Sequence, residues 1–439
     1  MRLPKDFMIG AATAAHQVEG NNTNCDFWVQ EHLPHTSFLE PSGEACDHYH
    51  RYETDIRLLS EAGCSAYRFS VEWARIEPEE GCFDEAEIAH YRDVIRCCRR
   101  YGIEPVLTLH HFTSPIWLIR KGGWAAESVT EDFCRYASFV IQRLGSELRW
   151  VCTLNEANLG LQLNAISRRY QLMAEQSRES SAQVGMNLGK MRENAAFLAR
   201  ENLDAFGTED PQVFVRPHRP EVDLRIARTH QAARAAIKAI CPELKVGLTL
   251  SLHDLQAEPG GEAFADAAWE EEFRHYLPYI REDDFLGVQN YTRTRYGASG
   301  QMPPPEGAEL TQMNYEFYPE ALEHVLRRVH REFKGDLLVT ENGVAVSDDS
   351  RRVEFLCRAF EGVRRCLDDG LPIKGYLYWS LLDNFEWQRG YSMTFGLVAV
   401  DRSTQARTAK PSLYALGRLA ADNKAPVEQS RKYEETYGK

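Results

Sequence analysis

"YETDIRLLSEAGCSAYRFSV", residues 52–71, holds both halves of a unit that the rest of the chain repeats. Ile56, Leu59 and Ala62 fall on one face of a helix, and Gly63 suits its stop. Residues 66–71 then form a short run that suits a buried strand. The next unit repeats the arrangement: "AEIAHYRDVIRCCRRYG" (86–102) closes on Gly102 and is followed by "PVLTLH" (105–110). Further out lie "FMIGAAT" (7–13), "RWVCTLN" (149–155), "KVGLTL" (245–250), "FLGVQNY" (285–291), "LLVTEN" (337–342) and "IKGYLYWSLL" (373–382).

Near-continuous apolar strands separated by amphipathic helices predict a parallel sheet covered by helices. Eight such strands suit a closed barrel better than an open doubly wound sheet. No GxGxxG or GxxxxGK[ST] follows an early strand, so a nucleotide-binding sheet has no support. The expected fold is α/β, a single (β/α)8 domain over residues 1–425 with a polar tail at 426–439. Residues 158–229 make an extended crossover after strand four, read as an extra helical excursion plus a loop.

Composition narrows the function classes. The chain carries 51 basic and 65 acidic residues, a formal charge of −14, and no basic stripe. That balance argues against nucleic acid, whose binding is dominated by phosphate neutralisation, and against an anionic membrane surface. No run of about 18 apolar residues appears, and the first twenty residues do not match a signal peptide. Eleven cysteines without a CxxC pair read as reduced thiols of a cytoplasmic protein. Nothing in the chain specifies an oligomeric state.

Barrels of this kind act at the C-terminal ends of their strands. The polar and aromatic residues there include Gln17, Arg68, His111, Asn155, Glu156, Tyr291, Glu341, Asn342, Trp379, Glu386 and Trp387. Glu156 and Glu341 end strands four and seven, which lie across the barrel from each other. Burying a carboxylate is costly unless something pairs with it, so two at one mouth call for a chemical reason. Cleavage of a glycosidic bond supplies one, because it needs a protonated acid for the leaving oxygen and a second carboxylate that stays ionised. A lone Glu at a strand end is more often a cap or a salt bridge; the pair is what weighs against that reading. "CDHYH" (46–50) resembles a metal cluster but reads better as a helix start with Asp47 at the N-cap. The arginine pairs at 327–328, 351–352 and 364–365, and Glu270, Glu271 and Glu272, read as solvated surface.

Taken together, these stretches resemble glycoside hydrolase family 1, the β-glucosidase family, over residues 6–418. "TLNEAN" resembles its acid/base motif and "VTENG" its nucleophile motif. The resemblance implies Glu156 as general acid and then base, Glu341 as nucleophile, and Asn155 on the 2-hydroxyl beside the anomeric carbon. It further implies Arg68 and Tyr291 beside the nucleophile, where they would keep it ionised. Gln17 and His111 would bind sugar hydroxyls, Trp379 would be the stacking platform, and Glu386 and Trp387 would meet the outer hydroxyls. The implied substrate is a small-molecule β-glycoside, and no cofactor or metal is implied.

Three departures stand out. Ala157 replaces the usual proline, Phe112 the commoner tryptophan, and Gln289 the usual asparagine. The related 6-phosphoglycosidases carry serine where this chain has Glu386, and a carboxylate there would repel a phosphate. The reading is therefore a retaining β-glycosidase for terminal glucosyl residues, with galactosyl and fucosyl also accommodated. A transglycosylase would use the same carboxylate pair. A non-catalytic carbohydrate receptor would have no need of both.

Overall fold

Eight parallel strands stand where the apolar runs predict them, and together they form a (β/α)8 barrel. The computed structural model describes residues 3–174 and 188–421. The first four strands are Met8–Ala12, Ala66–Ser70, Glu104–His110 and Trp150–Leu154. The sixth, seventh and eighth are Phe285–Gln289, Asp336–Asn342 and Ile373–Trp379.

The fifth strand differs from the expected single run, being broken at Leu248 into Lys245–Gly247 and Thr249–Ser251. Its first half pairs with strand four through Trp150, Val151 and Cys152. Its second half pairs with strand six through Gly287, Val288 and Gln289. One interrupted strand thus closes the ring, and the nine ladder segments are eight strands.

Strand periodicity explains what fills the barrel. Met8, Ala66, Val106, Trp150, Cys152, Phe285, Leu338 and Leu377 form one buried apolar cluster, with residues from seven of the eight strands. Two residues further along, the same inward positions carry Arg68 and Thr108, so the barrel turns polar toward its C-terminal mouth. The large apolar cluster outside it packs the helices onto the sheet.

The crossover after strand four contains helices Leu159–Ala174, Leu188–Glu193 and Ala195–Phe206 before the long helix Pro220–Ile240. Residues 175–187 within it, and the tail at 426–439, lie outside the described residues. No helix among the described residues is long and apolar enough to cross a membrane.

Local expectations needed three corrections. Asp47 does start the helix His48–Ala62, but its side chain makes no cap and bonds to His50 and Arg51 instead. Arg352 is not a solvated face residue; it is buried and donates to the carbonyls of Val346 and Thr394. Glu272 is buried as well, clamping His253. All eleven cysteines are free thiols, most of them buried.

Candidate active site

Glu341 sits at the end of the seventh strand, where regular alternation fails. Inward-facing Leu338 would place Thr340 and Asn342 inward and send Glu341 toward the helices. A register shift between Val339 and Glu341 instead sets Glu341 opposite Gln289. Gly343 follows because a Cβ there would lie 1.9 Å from the Trp379 carbonyl oxygen. The backbones of strands seven and eight meet too closely for any side chain.

Three donors hold the Glu341 carboxylate. Arg68 Nη1 donates to Oε1 at 2.5 Å, Gln289 Nε2 donates to the same oxygen at 2.8 Å, and the Tyr291 hydroxyl donates to Oε2. Arg68 also donates through Nη2 to Asn155 Oδ1 at 2.6 Å and through Nε to Thr108 at 3.0 Å. Asn155 Oδ1 accepts from Gln289 Nε2 (2.8 Å) and Thr249 Oγ1 (3.2 Å) as well, which fixes its amide orientation. Its Nδ2 must then donate to His111 Nε2, 3.1 Å away, leaving the His111 proton on Nδ1. Burial, and then Arg68, hold the His111 pKa well below its ordinary value, so the ring is neutral. Its Nδ1 has no partner.

Glu156 takes a left-handed backbone, φ 46°, two residues past the end of strand four. Phe112 (φ 73°) and Trp387 (φ 49°), which line the same pocket, share that unusual region. Non-glycine residues rarely adopt it, and strained backbone concentrates at functional sites. The Glu156 amide is held by Thr249 Oγ1 at 3.1 Å.

The three carboxyls of the pocket titrate differently. Burial, followed by the charge of Glu341, drives Glu156 well above the usual carboxylate range. Glu341 is also raised by burial, against the pull of Arg68 and Tyr291. Arg68 and Tyr291, expected to favour the ionised form of Glu341, do pull its pKa down, although burial outweighs them. They do leave it the less displaced of the two, so the first proton to leave the pair leaves Glu341. Burial and Glu341 push Glu386 to about 8, while Gln17 opposes the shift.

The pocket is an open cleft of about 850 Å³ with Glu156, Glu341 and Glu386 on its walls. His111, Tyr291, Trp379 and Trp387 line it too. Gln17, Arg68 and Asn155 stand behind that surface, bonded to residues that form it. Gln17 Nε2 donates to the Phe385 carbonyl at 2.7 Å and to Glu386 at 3.3 Å. The ten residues to which the sequence assigns a site role thus belong to one constellation, whereas Asn342, the eleventh noted at the strand ends, bonds to the Asn290 carbonyl and the Tyr376 hydroxyl and does not line the cleft. Gln289, Thr249, Tyr315, Gln162 and His253 also belong to it and were not among them. Gln289 was flagged only as a departure, and the rest sit in segments without a recognisable motif.

A parallel eight-stranded barrel whose C-terminal mouth joins neighbouring buried carboxyls to an aromatic-walled pocket defines a glycoside-hydrolase class of enzyme. Comparison with known proteins makes the assignment specific. The family model described as Glycosyl hydrolase family 1 matches residues 1–201 and 271–425, and the chain belongs to that family. A beta-glucosidase of Agrobacterium sp. is 30% identical, with 94% of each chain covered. A bifunctional beta-D-glucosidase/beta-D-fucosidase of Bifidobacterium breve is 30% identical, covering 97% of this chain and 99% of its own. Among solved structures, a beta-glycosidase at 46% identity superimposes with a TM-score of 0.85, covering 97% of this chain and 98% of that one. The protein is a family 1 β-glycosidase.

Proposed function

We propose that the enzyme hydrolyses terminal β-D-glucosyl residues with retention of configuration, through a covalent intermediate on Glu341. In the first step a Glu341 oxygen bonds to the anomeric carbon as the bond to the leaving oxygen breaks. Glu156 gives its proton to that oxygen. In the second step water attacks the same carbon, Glu156 takes the water proton, and the ester to Glu341 breaks. Esterification removes the Glu341 charge that helps hold the proton on Glu156, which turns that residue from acid into base.

The carrying observation is the unequal environment of the two carboxyls. Glu341 has three donors including a guanidinium, whereas Glu156 is pushed further toward its neutral form. Trp379 offers a face for the sugar ring. The unpaired Nδ1 of His111 and the carboxyl of Glu386 offer partners for its hydroxyls. Galactosyl and fucosyl residues fit the same reading, because a carboxyl at Glu386 serves either epimer at C4. The dual specificity in the name of the Bifidobacterium breve relative supports this breadth. The test is hydrolysis of a nitrophenyl β-glycoside panel with NMR of the first anomer released. The β anomer is expected; the α anomer would overturn retention.

A further inference from the structure

One wall of the cleft carries a polar atom that the proposed reaction does not use. Met313, Tyr315, Ala345 and Phe395 form an apolar cluster with Trp379, and Met313, Tyr315 and Phe395 line the cleft beside it. Tyr291 packs on the same cluster, but its hydroxyl is committed to Glu341. Tyr315 is only 5% exposed, and its hydroxyl has no protein partner. Burial, and then the charge of Glu386, hold its pKa well above the ordinary value, so the phenol keeps its proton and can donate. The segment that carries the ring is tied down on both sides. Upstream, the Thr311 N–H donates to the Tyr315 carbonyl at 2.9 Å, and the Gln312 N–H donates to the Ala345 carbonyl at 3.0 Å. Downstream, Arg293 donates twice to the Glu316 carboxylate, at 2.9 and 2.6 Å, and Thr292 Oγ1 donates to the Glu316 carbonyl at 2.7 Å.

Leaving a buried hydroxyl unpaired is costly, and phenylalanine would fill the same wall without that cost. A site that keeps such a group is suited to a substrate that pairs with it. The shape of a pyranose identifies the pairing group. With one face on Trp379 and its anomeric carbon at Glu341, a glucosyl residue presents two unlike edges. One edge carries the 2-, 3- and 4-hydroxyls and matches the polar side of the cleft, where His111 and Glu386 stand. The other carries the ring oxygen and C5 with its hydroxymethyl group, and it matches the apolar wall. On that edge the hydroxyl is the one at C6, and Tyr315 supplies a donor with no other partner.

We propose that Tyr315 donates to the 6-hydroxyl of the sugar residue being transferred, and so weights the enzyme toward glucosides and galactosides over their 6-deoxy counterparts. The inference rests on the β-glycosidase reading above and adds a determinant at C6 to the breadth at C4. Two substrate pairs, each differing by a single oxygen, test it: nitrophenyl β-D-glucoside against its 6-deoxy analogue, and nitrophenyl β-D-galactoside against nitrophenyl β-D-fucoside. In Tyr315→Phe, which keeps the ring and its packing, the kcat/KM ratio of 6-hydroxylated to 6-deoxy substrate should fall about tenfold in both pairs, the worth of one hydrogen bond to the substrate. Tyr315→Leu repeats the measurement should phenylalanine disturb the cluster. Well-folded variants whose ratios stay within about twofold of the wild type, even with both rates lowered alike, overturn the role of Tyr315 and leave the glycosidase reading standing. If the wild type cleaves none of the four glycosides, both are overturned.

Discussion

Glu156 and Glu341 are the same side chain placed in two environments, and the difference between those environments is the chemistry. Glu341 answers to Arg68, Gln289 and Tyr291. Glu156 answers mainly to burial and to Glu341 itself. In the proposed mechanism its protonated form is the active one in the first step, so kcat/KM should fall as pH rises through its elevated pKa. Glu156→Gln removes the transferable proton and should lower kcat/KM for disaccharides by about 10²–10⁴-fold. The loss should be far smaller for nitrophenyl glycosides, whose leaving group departs as an anion, and the alkaline limb should vanish from their pH profile. Parallel pH profiles of the two enzymes check this. At this scale the sequence was most informative where a motif carried the residue. Gln289 shows what motifs miss: one amide bridges Glu341 and Asn155, a role that depends on three strands meeting.

At the level of elements, the seventh strand shows how a carboxylate comes to face a pocket from so apolar a run. The register shift before Glu341 turns it inward, and Gly343 lets strand eight pass close behind. Gly343→Ala would force a Cβ onto the Trp379 carbonyl, a backbone clash that rotamer changes cannot relieve. It should lower Tm by several degrees and reduce kcat by more than tenfold as Glu341 is displaced, since small misplacements of a reacting group cost about a hundredfold. Thermal melts and steady-state kinetics on the same preparation measure both. Strand positions were legible because buried parallel strands are apolar throughout. The break at Leu248 and the shift at Glu341 were not, because pairing register is a property of two strands and a sequence run reports one. Arg352 and Glu272 looked like surface charges for a similar reason: their partners lie on other segments.

For the molecule as a whole, concentrating buried carboxyls around one cleft has a stability cost that depends on pH. Glu386 is raised to about 8, and outside the pocket burial raises Asp26 and Glu72 to about 7. Between the ordinary carboxylate value and these, the folded chain holds protons that the unfolded chain has released. Stability of the free enzyme should therefore decline as pH rises from about 4.5 to about 8, each unit of displacement being worth about 1.4 kcal/mol. Glu386→Gln should flatten that slope, as read by chemical denaturation at a series of pH values. A variant as steep as the wild type would assign the slope to other groups. The barrel itself was legible from the alternation of strands and helices, and the carboxylate pair from its place at two strand ends. Gln162, His253 and Tyr315, which complete the cleft, were not, since nothing in their own segments marks which side chain faces the pocket.

The central claim is that Glu341 becomes covalently bonded to the sugar. The most direct measurement is mass spectrometry of the enzyme after incubation with a 2-deoxy-2-fluoro-β-glucoside bearing a good leaving group, followed by peptide mapping. The 2-fluorine slows both steps, and the reactive leaving group restores the first, so the intermediate accumulates. The account predicts one glycosyl unit per chain, located on the peptide that carries Glu341. An adduct on Glu156 or any other residue, or steady turnover of this substrate by the Glu341→Gln variant, would contradict it.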